Sequence, residues 1–407
     1  MNDSLIVREL AKRYAEIALS ETNAKKMRLM RDINGLRPAR PAVYIHEVPW
    51  HEMNICHELD LQCAEEPYRG HELNLRRNIL QHKYFPCDMA FSPCIGVGKA
   101  IHSTGKGIKV VEDIIANDPG NRIVAHRYHD QLRTEDDLAK LQVPVITHDE
   151  AETARRFAFT QELYNGILPV RLQGTGHGFA PWDEISRYRS VDALLLDLAE
   201  RPEFMHKIME RLLEIEEAVI AQYEALGLLQ QNALYIHCTA GLCDELDCPD
   251  DAKATAKDLW GRGTAQVFGS VSPEMHDEFD IAYQARFMKK FGLVYYGCCE
   301  PLHDRIDKVE KLPNLRKISI TPWAKVAPAA EAIGRKYVFA HKPNPAFVAE
   351  NGFDAPRVRA EIREVLDACA KNNCVCEFVL KDISTCNYRP ENIIQWEKTV
   401  METVVNY

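Results

Sequence analysis

From about residue 150 onward, short apolar runs alternate with longer stretches whose apolar positions recur at helical spacing. The runs at 168–172, 233–237, 266–269, 293–298, 316–320, 337–340 and 375–380 have strand length and predict β-strands. Between them, helical patterns run over 191–228, with a break near Arg201-Pro202, and over 273–291, 303–312, 328–334, 356–372 and 390–405. Proline stands at or just before several of these starts, where its fixed φ and missing N–H suit the first helical turn. Strands that alternate with helices pair in parallel. The number of repeats favours closure, so the expected fold is α/β, a (β/α)8 TIM-type barrel.

The first 150 residues are less regular. Residues 4–30 predict an amphipathic helix and 42–46 a short strand, while 86–107 is rich in Gly, Pro and Ser. Turn chemistry centres on Asp118-Pro119-Gly120 within 117–120. The expected division is an N-terminal extension over 1–150, packed on the barrel and contributing its first strands, and a barrel core over 151–407.

Composition narrows the function. The net charge is −10 and no Lys/Arg-rich run interrupts it, which argues against nucleic-acid binding. No run approaches 18 apolar residues, and residues 1–21 are charged and helical in pattern, without the apolar core of a signal peptide. A cytoplasmic protein is the expectation. Its 13 cysteines, an odd number, then read as thiols or ligands and not as a disulfide framework.

The chemistry-bearing residues gather at predicted strand ends, the edge where barrels collect catalytic groups. Alternation along 293–298 puts Val294, Tyr296 and Cys298 on one face, with Cys298 the last inward residue. Cys386 follows the strand at 375–380, so the two thiols belong to one rim. They are either two ligands of a zinc ion or two buried small hydrophobes. Cys299, Glu300 and His303 lie on the same loop as Cys298. His237 and Cys238 end another predicted strand, and His341 a third. His46-Glu47 and Lys342-Pro343-Asn344-Pro345 are further rim candidates. The glycine-rich run from Gly174 through His177 lacks the Lys-Ser/Thr ending of a phosphate loop and reads as a rim loop that substrate approaches closely.

Four segments then carry a resemblance: Leu195-Leu-Asp-Leu-Ala-Glu-Arg-Pro-Glu-Phe-Met205, Val271-Ser-Pro-Glu-Met-His-Asp-Glu-Phe279, the strand and loop from Tyr337 to Pro345, and Ser384-Thr-Cys-Asn-Tyr-Arg-Pro-Glu-Asn-Ile393. From about residue 150 to the end the chain resembles the uroporphyrinogen decarboxylase superfamily. It is most similar to its zinc-dependent, corrinoid-linked methyltransferase branch.

The resemblance implies an enzyme that moves a methyl group between a small methylated substrate and a corrinoid protein or a folate. In that branch a His-x-Cys at a strand end and a distant Cys before the last helix bind zinc. By position Cys298 and Cys386 match the two cysteines, whereas Tyr296 stands where the histidine is expected. Cys299, Glu300 or His237 would complete the ligands. His237, Glu300 and His177 are the candidate proton-handling groups, and Tyr296, His46 and Asn344 the candidate substrate contacts. A corrinoid protein and a second copy of the chain are the expected partners. The alternative is a metal-free carboxy-lyase of the decarboxylase branch, although residues 28–40 do not reproduce that branch's arginine motif.

Overall fold

The computed structural model describes residues 2–116, 121, 123–249 and 253–407; the turn expected at 117–120 lies outside the described residues. Its centre is a sheet of seven parallel strands: β1 (Ala42–Ile45), β2 (His177–Phe179), β3 (Trp260–Gly263), β4 (Leu293–Tyr296), β5 (Leu315–Ile320), β6 (Val338–His341) and β7 (Val375–Leu380). Their order across the sheet is β1-β7-β6-β5-β4-β3-β2, so neighbours from β3 to β7 follow chain order with intervening helices. The strands are apolar along most of their length because helices cover the sheet, as parallel sheets require.

The expected eightfold closed barrel is corrected here. Among the described residues β1 and β2 are the two edges of the sheet and do not pair, so it stays open. Two predicted strands went elsewhere. The run at 168–172 forms Val170–Gln173, which pairs with Ile95–Gly98 in a separate two-stranded sheet. The run at 233–237 folds into a short antiparallel hairpin, Tyr235–Ile236 with Thr239–Ala240. His237 and Cys238 between those arms have φ of 23° and 62°, a left-handed turn that sends the chain back on itself.

A third prediction, 266–269, is a 3-10 turn, Gln266–Ser270; the strand lies earlier, at Trp260–Gly263. Its two glycines hid it from an apolar-run criterion. They are needed because a Cβ at Gly261 would meet Phe291 at 2.8 Å and one at Gly263 would meet Gln284 at 2.7 Å. Other expectations came close. The helical pattern at 191–228 is two helices, Val191–Glu200 and Pro202–Leu226, broken at Arg201, and the last helix is Pro390–Val405.

The predicted helix at 4–30 is likewise two, Asp3–Ala18 and Glu21–Asn34, each opened by a side-chain cap from Asn2 or Ser20. The first packs against Tyr68–Tyr84 and Glu150–Tyr164 in a satellite core that includes Val7, Leu10, Leu75 and Leu163. Among the described residues no helix is long and apolar enough to cross a membrane.

The hairpin sits beside β1 and is held from three sides. The Tyr235 ring lies 6.3 Å from that of Tyr44 and 4.9 Å from that of His46. Asn34 donates to the carbonyls of Ala240 and Leu242 at 3.0 and 2.8 Å. From the sheet side, buried Lys317 donates to Glu377 at 3.0 Å, to Thr239 Oγ1 at 2.9 Å and to the Ala240 carbonyl at 3.2 Å. Thr239 in turn donates a short hydrogen bond to Glu377. Breaking a buried ion pair on one side leaves the other charge uncompensated. Lys317→Met is therefore expected to lower stability by about 3–5 kcal/mol, and the double change Lys317→Met/Glu377→Met to regain much of it. Urea unfolding checks this; a single-variant loss below about 1 kcal/mol, the scale of an exposed pair, would contradict it.

Candidate functional site

At their C-terminal ends the strands deliver charged and nucleophilic side chains to one place. β1 runs into His46 and Glu47, β4 into Cys298 and Cys299, β6 into Lys342, and β7 into Lys381 and Asp382; the hairpin turn adds His237 and Cys238. Glu47 and Asp382 have φ of 51° and 57°, joining His237 and Cys238 in the left-handed region. Each such residue costs on the order of 1–3 kcal/mol and persists only where its surroundings impose it. Here the Asp382 amide donates to Glu47 Oε2 at 2.8 Å, tying two of them together.

Cys298 is the centre of the cluster. Its Sγ lies 3.3 Å from Lys381 Nζ, 3.4 Å from His237 Nε2 and 3.7 Å from Cys299 Sγ. These contacts hold the Cys298 thiol well below the ordinary thiol range: a hydrogen bond from Cys299 contributes most, burial opposes it, and His237 and Lys381 add to the lowering. Cys299 is pushed up in return, by that same hydrogen bond and by burial. Its one S–H proton serves either Cys298 or Asp382 Oδ2, which is 3.5 Å away. Lys381 donates to Asp382 at 2.5 Å. Burial would lower its ammonium, but the charges of Cys298 and Asp382 outweigh burial and raise it.

Around this thiolate stand two buried lysines, Lys342 and Lys381, with His46 and Cys238 half-buried and His237, Glu47 and Asp382 open to solvent. Burial, with the charges of Lys342 and His237, pushes the His46 imidazole down to about 3, so it is neutral at pH 7. The Lys342 ammonium stands 5.5 Å over the Tyr295 ring. Burial and the nearby Glu47 carboxylate push the Cys238 thiol up to about 12, leaving Cys298 as the thiolate of the pair.

The other predicted residues lie apart from Cys298 or serve it indirectly. Glu300 is fully buried, and its carboxylate accepts from Thr264 Oγ1 at 2.9 Å and from the Ala265 and Cys298 amides at 3.0 Å. It braces the loop that carries Cys298. Tyr296 faces the other way: its hydroxyl donates to Asp280 at 2.6 Å and lies 2.6 Å from His276, inside the layer of helices. The simple alternation that put Tyr296 and Cys298 on one face fails because Gly297 between them has φ 95°, so the chain turns and Cys298 comes near Tyr295.

Cys386 is buried against Met53, at 4.0 Å, and its amide donates to Glu52 at 2.6 Å. Burial and Glu52 push its thiol up to about 12. Asn344 braces its own loop, its amide donating to Glu361 and its Oδ1 accepting from Ala346. His177 Nε2 is 3.0 Å from Glu216, which also pairs with Lys106. Thus His237, Cys298, Cys299 and His46 come together, while Cys386, Tyr296, Asn344 and His177 have other partners. Lys381 and Asp382 were not anticipated, although both directly follow the predicted strand 375–380 and the strand-end rule would have found them.

Zinc needs three or more Cys, His, Asp or Glu donors converging on one point. The edges from Cys298 to His237 and Cys299 suit a tetrahedron, but the Lys381 ammonium lies 3.3 and 3.7 Å from the two sulfurs, where it already neutralises the thiolate. Cys386 is engaged elsewhere. Among the described residues no group of three or more His, Cys, Asp or Glu side chains is arranged to hold a metal ion. The donors as arranged do not fit zinc.

A parallel α/β sheet with reactive groups at its carboxyl edge is the architecture of many barrel-like enzymes. No protein-family model matches the chain, and no curated protein matches it by sequence. Among solved structures that match is a methyltransferase from Methanosarcina mazei, 12% identical, with a TM-score of 0.50 over 93% of this chain and 97% of that one. The likeness is one of fold, over nearly the full length of both chains.

Removing the Lys381 charge takes away a cation that favours the Cys298 thiolate. Lys381→Met is therefore expected to move the appearance of the thiolate to higher pH by about 1–3 pH units. The thiolate's ultraviolet absorbance, read as the difference from Cys298→Ser, measures it. An unmoved midpoint would remove Lys381 from the account.

Proposed function

We propose that the chain is a methyltransferase that moves a methyl group between a small methylated substrate and a corrinoid protein or a folate. The observation that carries this reading is the Cys298 thiolate held between His237 and Lys381 at the carboxyl edge of a parallel sheet. The full-length likeness in fold to a protein named as a methyltransferase supports it. So does the resemblance of the segments from Leu195 to Ile393.

Methyl transfer displaces a heteroatom from the methyl carbon, and that heteroatom leaves with the bonding electrons. His237 Nε2 is placed to hold a proton for it, the role of a general acid. Lys381 and the Cys298 thiolate supply fixed charges of both signs beside it, which need no reorganisation as charge moves during transfer. Glu300, through the Cys298 amide, positions the thiolate and does not itself contact the substrate.

The test offers purified protein a panel of methylated alcohols, amines, thioethers and methoxylated acids, with free cob(I)alamin or tetrahydrofolate as acceptor. Wild type is expected to form the methylated acceptor, and Cys298→Ser to slow it by about a hundredfold or more at unchanged thermal stability. Absence of any methylated acceptor, together with carbon dioxide release from a porphyrinogen, would replace this reading with the lyase alternative.

A further inference from the structure

A cavity of about 330 Å3 opens between β2, β3 and the hairpin, and His177, Tyr235, His237, Trp260 and Arg262 are in its wall. His237 belongs both to this cavity and to the thiolate cluster, because its Nε2 is 3.4 Å from Cys298 Sγ. A compound lying in the cavity therefore reaches His237, and through it the neighbourhood of Cys298.

Arg262, on β3, is the unusual member of the wall. Its Nε and Nη2 are both buried and neither has a hydrogen-bond partner. Those two N–H groups lie on one edge of the guanidinium and point in parallel, the fork that a carboxylate takes bidentately. The acids nearby spend their hydrogen-bond acceptors elsewhere, although Asp183 feels the Arg262 charge. Asp183 accepts from the Gln266 amide at 3.0 Å and from its side chain at 2.8 Å. Asp258, on the cavity wall, caps its own turn by accepting from the Thr255 amide and hydroxyl at 2.8 and 2.9 Å. Arg31, the other arginine of the wall, is tied to Asp244 at 3.0 Å. Leaving the donors of a buried cation unmatched is costly, and an anionic ligand removes that cost. Tyr235 and Trp260 add flat apolar surface for the rest of such a ligand.

We infer that this cavity binds a small methylated substrate by its carboxylate, held on the Arg262 guanidinium, with the methylated end directed to His237 and Cys298. The inference rests on the methyl-transfer reading for the word methylated, and on the cavity and Arg262 alone for the carboxylate. Inorganic phosphate presents similar oxygens, so it serves as the competing probe.

The test is calorimetric titration of the full chain with benzoate, benzyl alcohol and inorganic phosphate. Benzoate carries no methyl group, so its binding does not depend on methyl transfer. Wild type is expected to bind benzoate and to bind benzyl alcohol at least about tenfold more weakly, the scale of a charge-assisted hydrogen bond. Arg262→Gln should weaken benzoate about ten- to hundredfold, and Arg262→Lys, which keeps the charge but loses the fork, by an intermediate factor. Equal binding of benzoate and benzyl alcohol to wild type overturns the carboxylate subsite without any variant having to fold. So does benzoate binding that Arg262→Lys and Arg262→Gln leave unchanged, or phosphate binding in preference to benzoate. If benzoate binds through Arg262 but methylated carboxylates transfer no methyl group, the subsite stands and the methyl-transfer reading falls. If methyl transfer proceeds while benzoate does not bind, the reverse holds.

Discussion

The buried contact of Lys317 with Glu377 and Thr239 is what the rest of the site depends on. Two ions in the interior forfeit several kcal/mol of hydration each, and only dense pairing offsets that loss. Here the pairing is dense: the ammonium has three acceptors, and one of the two carboxylate partners is a hydroxyl on the hairpin. The consequence is positional. The hairpin beside β1 has only two residues in each arm, too few to be stable alone. It is held there by the Lys317 contact from within and by Asn34 from outside. His237 and Cys238 adopt left-handed φ values because both arms of their turn are fixed. Without that constraint His237 has no reason to stand beside Cys298.

The same logic extends to the other strand ends. Glu47, His237, Cys238 and Asp382 store backbone strain in one place, while the sheet strands that lead to Glu47 and Asp382 are buried along almost all their length. A rigid sheet gives each loop a fixed starting point, and cross-links such as the Asp382 amide to Glu47 hold the loops against one another. Charge is arranged in the same way. The Cys298 thiolate is opposed by Lys381, and Lys381 by Asp382, so every charge in the innermost group has a counter-charge within hydrogen-bonding range.

Much of this was legible in the residues. Short apolar runs identify 293–298, 316–320 and 375–380 as strands, and helical spacing opened by a proline identifies the helix at 390–405. The strand-end rule picked out His46, Cys298 and Cys299, which the structure brings near one another, whereas His237 joins them from a hairpin turn and not from the expected strand end. What escaped was decided by long-range packing. The sequence Trp260-Gly-Arg-Gly263 is a strand by its pairing with β2 and β4, and its glycines leave the room that Met288, Gln284 and Phe291 occupy. The hairpin forms where a strand was expected because residues more than 75 positions away, Lys317 and Glu377, reach its backbone and Thr239. Position in a resembling family matched Cys386 to Cys298, yet the partners of Cys386 are Glu52 and Met53 from the N-terminal region, where that match did not extend.

The open side of the sheet gains a meaning from this. A closed barrel confines access to its mouth, whereas here β1 and β2 are edges, and the hairpin and the cavity wall occupy the region between the strands they leave apart. The cavity meets the strand-end cluster at His237, whose Nε2 is 3.4 Å from Cys298 Sγ, while Lys342 and Lys381 directly follow the carboxyl ends of β6 and β7. With β1 and β2 unpaired among the described residues, the hairpin and not a further strand carries that contact, so the same Lys317 and Asn34 bonds that hold the hairpin also hold the cavity against the cluster.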